Sequence, residues 1–173
     1  NGFIRKAKDS YMKIGVISDT HIPERAAGIP DEILYAFKKV DMIIHAGDLV
    51  EVGVLDQLKA VCPNLKAVCG NMDPEDIRKI LPEKEIIKVG KFRIGVMHGQ
   101  GHPDRLILAA EKLFKQDKVD MVIFGHSHLP VNEERNGVIY FNPGSPTDTI
   151  FAPYKSYGII EINDKIEAKI VKL

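Results

Sequence analysis

The sequence predicts an α/β fold in which two mixed sheets pack together with helices outside, and three observations lead there. Five short runs, "KIGVIS" (13–18), "DMIIHA" (41–46), "LKAVC" (65–69), "RIGVMH" (93–98) and "DMVIFG" (120–125), are β-branched and bounded by turn residues. Their apolarity is continuous rather than alternating, the mark of strands buried on both faces. Helix-period segments separate several of these runs, and after residue 129 hairpins replace helices.

Each element has its own justification. "PDEILYAFKKV" opens with Pro30 and acidic residues and turns basic near its end, as a helix dipole favours. "VGVLDQLKAV", "DPEDIRKIL" and "DRLILAAEKLFKQDK" carry the same helical period. "EKEIIKVGKFRIGVMH" reads as a hairpin turning near Gly90-Lys91, and "VNEERNGVIYFN" as one turning at Asn136-Gly137. "SYGIIEINDKIEAKIVKL" is a further hairpin around Asn163-Asp164, preceded by a Pro/Gly-rich loop, "NPGSPTDTIFAPY" (142–154). Residues 12–173 are expected to form a single domain. The opening "NGFIRKAKDSY" (1–11) is read as an expression remnant or a native extension, outside the patterned region.

At 173 residues, 45% hydrophobic and 28% charged, the chain has the composition of a globular domain with a sizeable core. Its 24 basic and 24 acidic residues cancel, so no general nucleic-acid binding is expected. No apolar stretch reaches the roughly 20 residues needed to span a bilayer, and no membrane partner is expected. Cys62 and Cys69 have neither disulfide-framework nor zinc-ribbon spacing and are read as buried free thiols, which fits a cytoplasmic location.

The chemistry lies where the strands end. "KIGVIS" runs into Asp19-Thr20-His21, "DMIIHAG" into Asp48, "LKAVCG" into Asn71, "RIGVM" into His98, and "DMVIFG" into His126-Ser127-His128. Ligands of open α/β sheets gather beyond the carboxyl ends of strands. Five strands side by side would bring these seven groups onto one rim. Any one of them alone reads as a helix cap or a satisfied polar contact. Four are histidines, however, of only six in the chain, and histidine is a poor cap. A shared site therefore outweighs five independent caps. Asp-x-His and His-x-His put alternate residues on one side of an extended segment, so each pair can reach one cluster. Seven nitrogen and oxygen donors exceed what one open metal site takes from protein, and two metals sharing a carboxylate fit better. Without thiolates, the set suits manganese, iron, cobalt, nickel or zinc.

With those residues in place, "SDTHIP", "HAGDLV", "CGNMD", "MHG" and "GHSHLP", with "NPGS" further on, resemble in order and spacing the motifs of the calcineurin-like metallophosphoesterases, closest to the small bacterial and archaeal phosphodiesterases. The resemblance implies a four-layer α/β/β/α sandwich and two divalent transition metals, manganese first among them. It implies that Asp19, His21 and His128 hold one metal and Asn71, His98 and His126 the other, with Asp48 bridging. Asp48 and Asn71 then count as catalytic groups as well as ligands. The implied activity is hydrolysis of a phosphodiester by in-line attack of a metal-bound hydroxide. Two cations roughly 3.5–4 Å apart can clamp the attacking and leaving oxygens of such a displacement. Since ligation needs neutral histidines and ionised aspartates, activity is expected to fall in acid.

One position departs from the pattern. Many members read Gly-Asn-His-Asp/Glu, where the histidine assists the leaving group, but this chain has Met72. Losing a general acid typically costs about 10²- to 10⁴-fold. His102, in "HGQGHPD", is either a replacement acid or an exposed loop histidine. Asp73 either orients Asn71 or caps the helix after Pro74, the cap being preferred. His45 is taken as a satisfied core residue, Arg25 as a solvated loop arginine rather than a phosphate contact. Gly99 and Gly101 are expected to let the backbone bend close to the metals.

Two further readings stay open. The scaffold subunit of the retromer sorting complex looks similar over "HIP", "IGVMHG" and "NPGS", and it is a protein-binding module. Its ligand positions are partly replaced, whereas here every one is filled. A metal-stabilised protein without turnover is the third.

Overall fold

A computed structural model describes residues 11–173; the proposed extension falls outside the described residues except for Tyr11. Ten strands form two five-stranded sheets. The first is ordered β10-β9-β1-β2-β3, from β1 (Met12–Ile17), β2 (Met42–His45), β3 (Leu65–Ala67), β9 (Ser156–Ile162) and β10 (Ile166–Lys172). The second is ordered β4-β5-β6-β8-β7, from β4 (Lys84–Val89), β5 (Phe92–Met97), β6 (Met121–Ile123), β7 (Val131–Arg135) and β8 (Val138–Asn142). In each sheet three parallel strands carry antiparallel neighbours: β1, β2 and β3 in one, β5, β6 and β8 in the other. All three expected hairpins form, at the expected turns.

The helices α1 (Asp31–Phe37), α2 (Gly53–Val61), α3 (Glu75–Ile80) and α4 (Leu106–Leu113) fall within the four helix-period segments. The last is shorter than its sequence pattern, because Pro103–Arg105 makes a 3-10 turn in front of it. Three apolar clusters set the layers. Ile14, Val16, Ile44, Ile94, Val96, Ile123, Phe141 and Ile160 fill the space between the sheets. Ile33, Phe37, Ile43, Leu55, Leu58 and Ile77 seat α1, α2 and α3 on the first sheet, while Leu106, Ala110, Phe114 and Val122 seat α4 on the second. The result is the α/β/β/α sandwich.

Helix-to-sheet contact depends on two glycines. A Cβ at Gly15 of β1 would fall 2.5 Å from Phe37, and one at Gly95 of β5 would fall 2.6 Å from Phe114. Each of these interior strands thus leaves a hollow that one helix, or the residue just after it, fills with a ring.

The layering corrects one expectation. The five site-bearing strands do not lie side by side: β1, β2 and β3 belong to one sheet, β5 and β6 to the other. Their carboxyl ends meet across the seam between the sheets, so the rim is built from both layers. Phe37→Ala should cost about 3–5 kcal/mol, because the ring is fully buried in that hollow; urea unfolding of the two proteins measures it.

Candidate metal centre

The seam brings all seven strand-end residues together. Asp19 and Asp48 are almost entirely buried, as are His98, His21 and His128, while His126 is half-buried and Asn71 exposed at the mouth. The connecting segments are not extended, as the alternation of Asp-x-His and His-x-His implied. Asp19, His21, Asp48, His126 and His128 all have φ between +42° and +71°. Non-glycine residues in that region cost of order 1–3 kcal/mol each and persist only where surrounding contacts over-determine them.

Those contacts are visible. Asp19 N donates to Gly47 O at 3.0 Å and His21 N to Asp48 O at 3.1 Å, stitching the loop after β1 to that after β2. The Asp19 carboxylate accepts from Ser18 Oγ (2.6 Å) and from His126 N across the seam (3.1 Å to Oδ2). Ser145 Oγ donates to Asp19 O at 2.8 Å, and Thr147 Oγ1 donates to Thr20 O at 2.8 Å. Glycines make room for the approach: a Cβ at Gly125 would collide with Ser18 Oγ, and one at Gly70 with Asp48 Oδ1.

The side-chain atoms converge as two overlapping sets. Asp19, His21 and His128 each offer an atom within 4.8 Å of the others, and so do Asp19, Asp48 and His98. Asp48 Oδ2 lies 3.1 Å from His98 Nε2 and 3.6 Å from His21 Nε2, and so faces both sides. Its other oxygen accepts from Met72 N at 2.8 Å. Asn71 Oδ1 lies 3.1 Å from His98 Nε2 and 2.9 Å from His126 Nδ1.

Hydrogen bonds behind the rings assign their lone pairs. His98 Nδ1 donates to Ala46 O (2.7 Å), His126 Nε2 to Gly101 O (3.0 Å) and His128 Nδ1 to Asp148 Oδ2 (2.6 Å). Each ring so held turns its other nitrogen, an acceptor when neutral, toward carboxylate or amide oxygens. Acceptors facing acceptors need a cation between them. Without metal, protons fill that role. Burial lowers His98, but Asp19 and Asp48 outweigh it and raise its pKa to about 9. His128 is raised as well, because Asp19 and Asp148 overcome its burial, whereas burial prevails at His21 and lowers it. Asp19 and Asp48 are lowered despite burial, by His98 in both cases and by His128 at Asp19. The donor set therefore fits divalent cations.

Other sequence readings resolve differently. His102 is not brought to the cluster: its side chain is largely exposed and accepts from Asp104 N at 3.3 Å, at the start of the 3-10 turn. Asp73 neither caps α3 nor touches the Asn71 side chain. It accepts from the backbone amides of Gly70 (2.7 Å), Asp48 (3.0 Å) and Val50 (2.7 Å), tying the loops after β2 and β3 together. Arg78 holds the same loop through Asp73 O and Asn71 O, both at 2.7 Å. His45 is a core residue as expected; it accepts from Gly47 N at 3.1 Å, and burial lowers its pKa to about 3. Cys62 and Cys69 are free and buried. Gly99 and Gly101 adopt φ of +99° and +91°.

One contributor, Asp148, escaped the sequence reading. Asp148, fully buried, also accepts from the amides of Ile150, Phe151 and Ala152, and these contacts with His128 hold its carboxyl well below the usual range. Arg25 sits half-buried in the loop after β1 and lines the cleft over the cluster, 3.5 Å from Asp148 Oδ1. In the sequence, the Pro/Gly-rich loop "NPGSPTDTIFAPY" and its "NPGS" mark the segment that holds Asp148.

This fold and donor set have known counterparts. Residues 12–165 match the calcineurin-like phosphoesterase superfamily domain, and the chain belongs to that superfamily. It is 41% identical over 165 residues to a probable metallophosphoesterase of Methanocaldococcus jannaschii, covering 94% of this chain and 82% of that one. The structure of an archaeal phosphodiesterase matches with a TM-score of 0.73 at 28% identity, over 94% of this chain and 100% of that one. Wild-type Vps29 of Entamoeba histolytica, solved in complex with zinc, matches equally well in shape: TM-score 0.73 and 29% identity over 93% and 99% of the two chains. Membership implies a phosphoester substrate and divalent metals. Among the described residues no helix is long and apolar enough to cross a membrane.

His98 yields a pH prediction. Its raised pKa means that the protonated ring stabilises the metal-free fold fully below about 6.5, and that this contribution is lost as pH rises through about 9. A divalent cation must displace that proton, so below about pH 9 binding should release it, and apparent affinity should fall as pH falls. Calorimetric titration at pH 7 in buffers of different ionisation enthalpy counts the proton.

Proposed function

We propose that the protein is a two-metal phosphodiesterase, with Asp19, His21 and His128 holding one cation, Asn71, His98 and His126 the other, and Asp48 bridging. The single observation that carries this is the buried convergence of lone pairs and carboxylates from both sheets, with Asp48 Oδ2 between His21 and His98. When bound, the two cations supply a water nucleophile near neutral pH and neutralise charge on the phosphoryl group.

The chain's residues supply the rest. Met72 N and the loop tie made by Asp73 hold Asp48 in place. Asp148 orients His128, and Ala46 and Gly101 orient His98 and His126. The cleft over the cluster, about 350 Å³ and lined by Arg25, Asn71, Met72 and Phe151, among others, fits a small ester. Met72 brings no proton, and His102 is solvent-exposed and engaged with Asp104 N, so departure of the leaving group falls to its own stability as an anion. Diester specificity is supported by the archaeal phosphodiesterase neighbour.

The similarity to Vps29 favours a second reading, a protein-binding module without significant turnover. Zinc in that relative's structure means that metal retention alone does not separate the two. Turnover does.

Metal-stripped protein given manganese, nickel, cobalt, iron or zinc singly should regain hydrolysis of bis(p-nitrophenyl) phosphate, with manganese the most effective, and Asp48→Asn should abolish it. Alkyl leaving groups should react about 10²- to 10⁴-fold more slowly, the usual worth of an absent acid. No turnover by folded protein with any metal would leave the binding-module reading standing.

A further inference from the structure

The cleft has a second chemistry beside its donors. Phe151 is 65% exposed and Met72 54% exposed, yet both line the same cleft as His21, Asp48 and Asn71. Phe151 is not a loose side chain on a loop. Its amide and those of its two neighbours all donate to Asp148, and its ring meets His128 edge-on at 6.1 Å. The carboxylate that orients a metal-centre histidine therefore also places an aromatic ring that stays largely exposed in the cleft wall.

Arg25 stands beside it, its guanidinium carbon 5.8 Å from the Phe151 ring centre. Among the described residues its side chain's only polar partner is Asp148 Oδ1, at 3.5 Å. Asp148 is already occupied by His128 and three backbone amides. The guanidinium thus keeps donors for a phosphoryl oxygen, which its planar fork suits.

We propose that Phe151, Met72 and Arg25 form a specificity subsite for a phosphoester carrying a planar aromatic arm. The ring stacks on Phe151, with Met72 as an apolar flank, and Arg25 engages a non-bridging phosphoryl oxygen. Methionine sulfur and aromatic faces both attract rings. A cleft of about 350 Å³ lies at the small end of ligand sites and takes one ring with its phosphoryl group rather than a polymer. The proposal rests on the phosphoesterase reading for the position of phosphorus, and it names the chemical class of that substrate.

Phosphonates test the subsite without turnover. Zinc-loaded protein is titrated with phenylphosphonate and methylphosphonate, followed by calorimetry and by proton spectra of the ligand. Phenylphosphonate should bind about tenfold more tightly, the worth of one stacked ring, with its ring protons shifted upfield. Phe151→Ala should erase the difference and Phe151→Tyr restore it. Arg25→Gln should weaken both ligands by a similar factor and leave their ratio intact. Thymidine 5′-phosphate separates two sources of the ring: tighter binding than phenylphosphonate assigns a nucleobase arm, weaker binding an aryl group directly on the ester. Equal affinity for the two phosphonates, or a preference that survives Phe151→Ala, overturns the proposal. A phenyl preference without hydrolysis of bis(p-nitrophenyl) phosphate keeps the subsite and removes the diesterase reading. Hydrolysis without the preference does the reverse.

Discussion

Two buried carboxylates, Asp19 and Asp48, are the constraint around which the rest of the structure is arranged. An isolated ionised carboxylate taken out of water is costly, and proteins bury such groups only when paired or coordinated. Among the described residues the groups paired with these two carboxylates are imidazoles, and no lysine or arginine bridges to either. Imidazoles whose pKa is raised by that charge, with hydrogen bonds from Ser18 and Met72, hold the pair as anions, and divalent cations can take the imidazole protons' place. This turns an electrostatic liability into a metal-binding driving force.

Keeping those groups together requires the loops after the strands to be held, both within the first sheet and across the seam, and polar contacts near the cluster serve both ends. Gly125 and Gly70 let the loops approach, Ser145 and Thr147 bind the backbone of Asp19 and Thr20, and Asp73 closes three amides at once. The left-handed backbone at five of the seven residues is tolerated because these contacts leave it little alternative. Helix packing under Gly15 and Gly95 is the distant support for the same geometry, since it fixes the central strands from which the loops spring.

Asp148 couples the centre to its surroundings. One oxygen orients His128, and both draw in the turn that presents Phe151. The orientation of His128 and the shape of the cleft wall are thereby linked through one buried side chain. That arrangement ties the backbone of Phe151 at the mouth to the group that orients His128.

Much of this was legible in the residues alone. Continuous apolar runs ending in Asp, Asn or His identified both the buried strands and the donors, because burial on two faces leaves strand ends as the place for polar chemistry. The hairpins were legible because turn residues act locally. Tertiary structure decided what depends on distant segments meeting. It distributed the five strands over two sheets, since continuous apolarity does not say which face meets which layer. It turned the Asp-x-His and His-x-His segments into left-handed turns, a conformation imposed by contacts across the seam. It sent His102 to solvent, made Asp73 a loop tie, and brought Asp148 and Arg25 to the centre from segments far apart in the chain. Local pattern determined which donor groups end the strands; long-range packing determined which of them converge, because only the folded chain brings their electric fields within reach of one another.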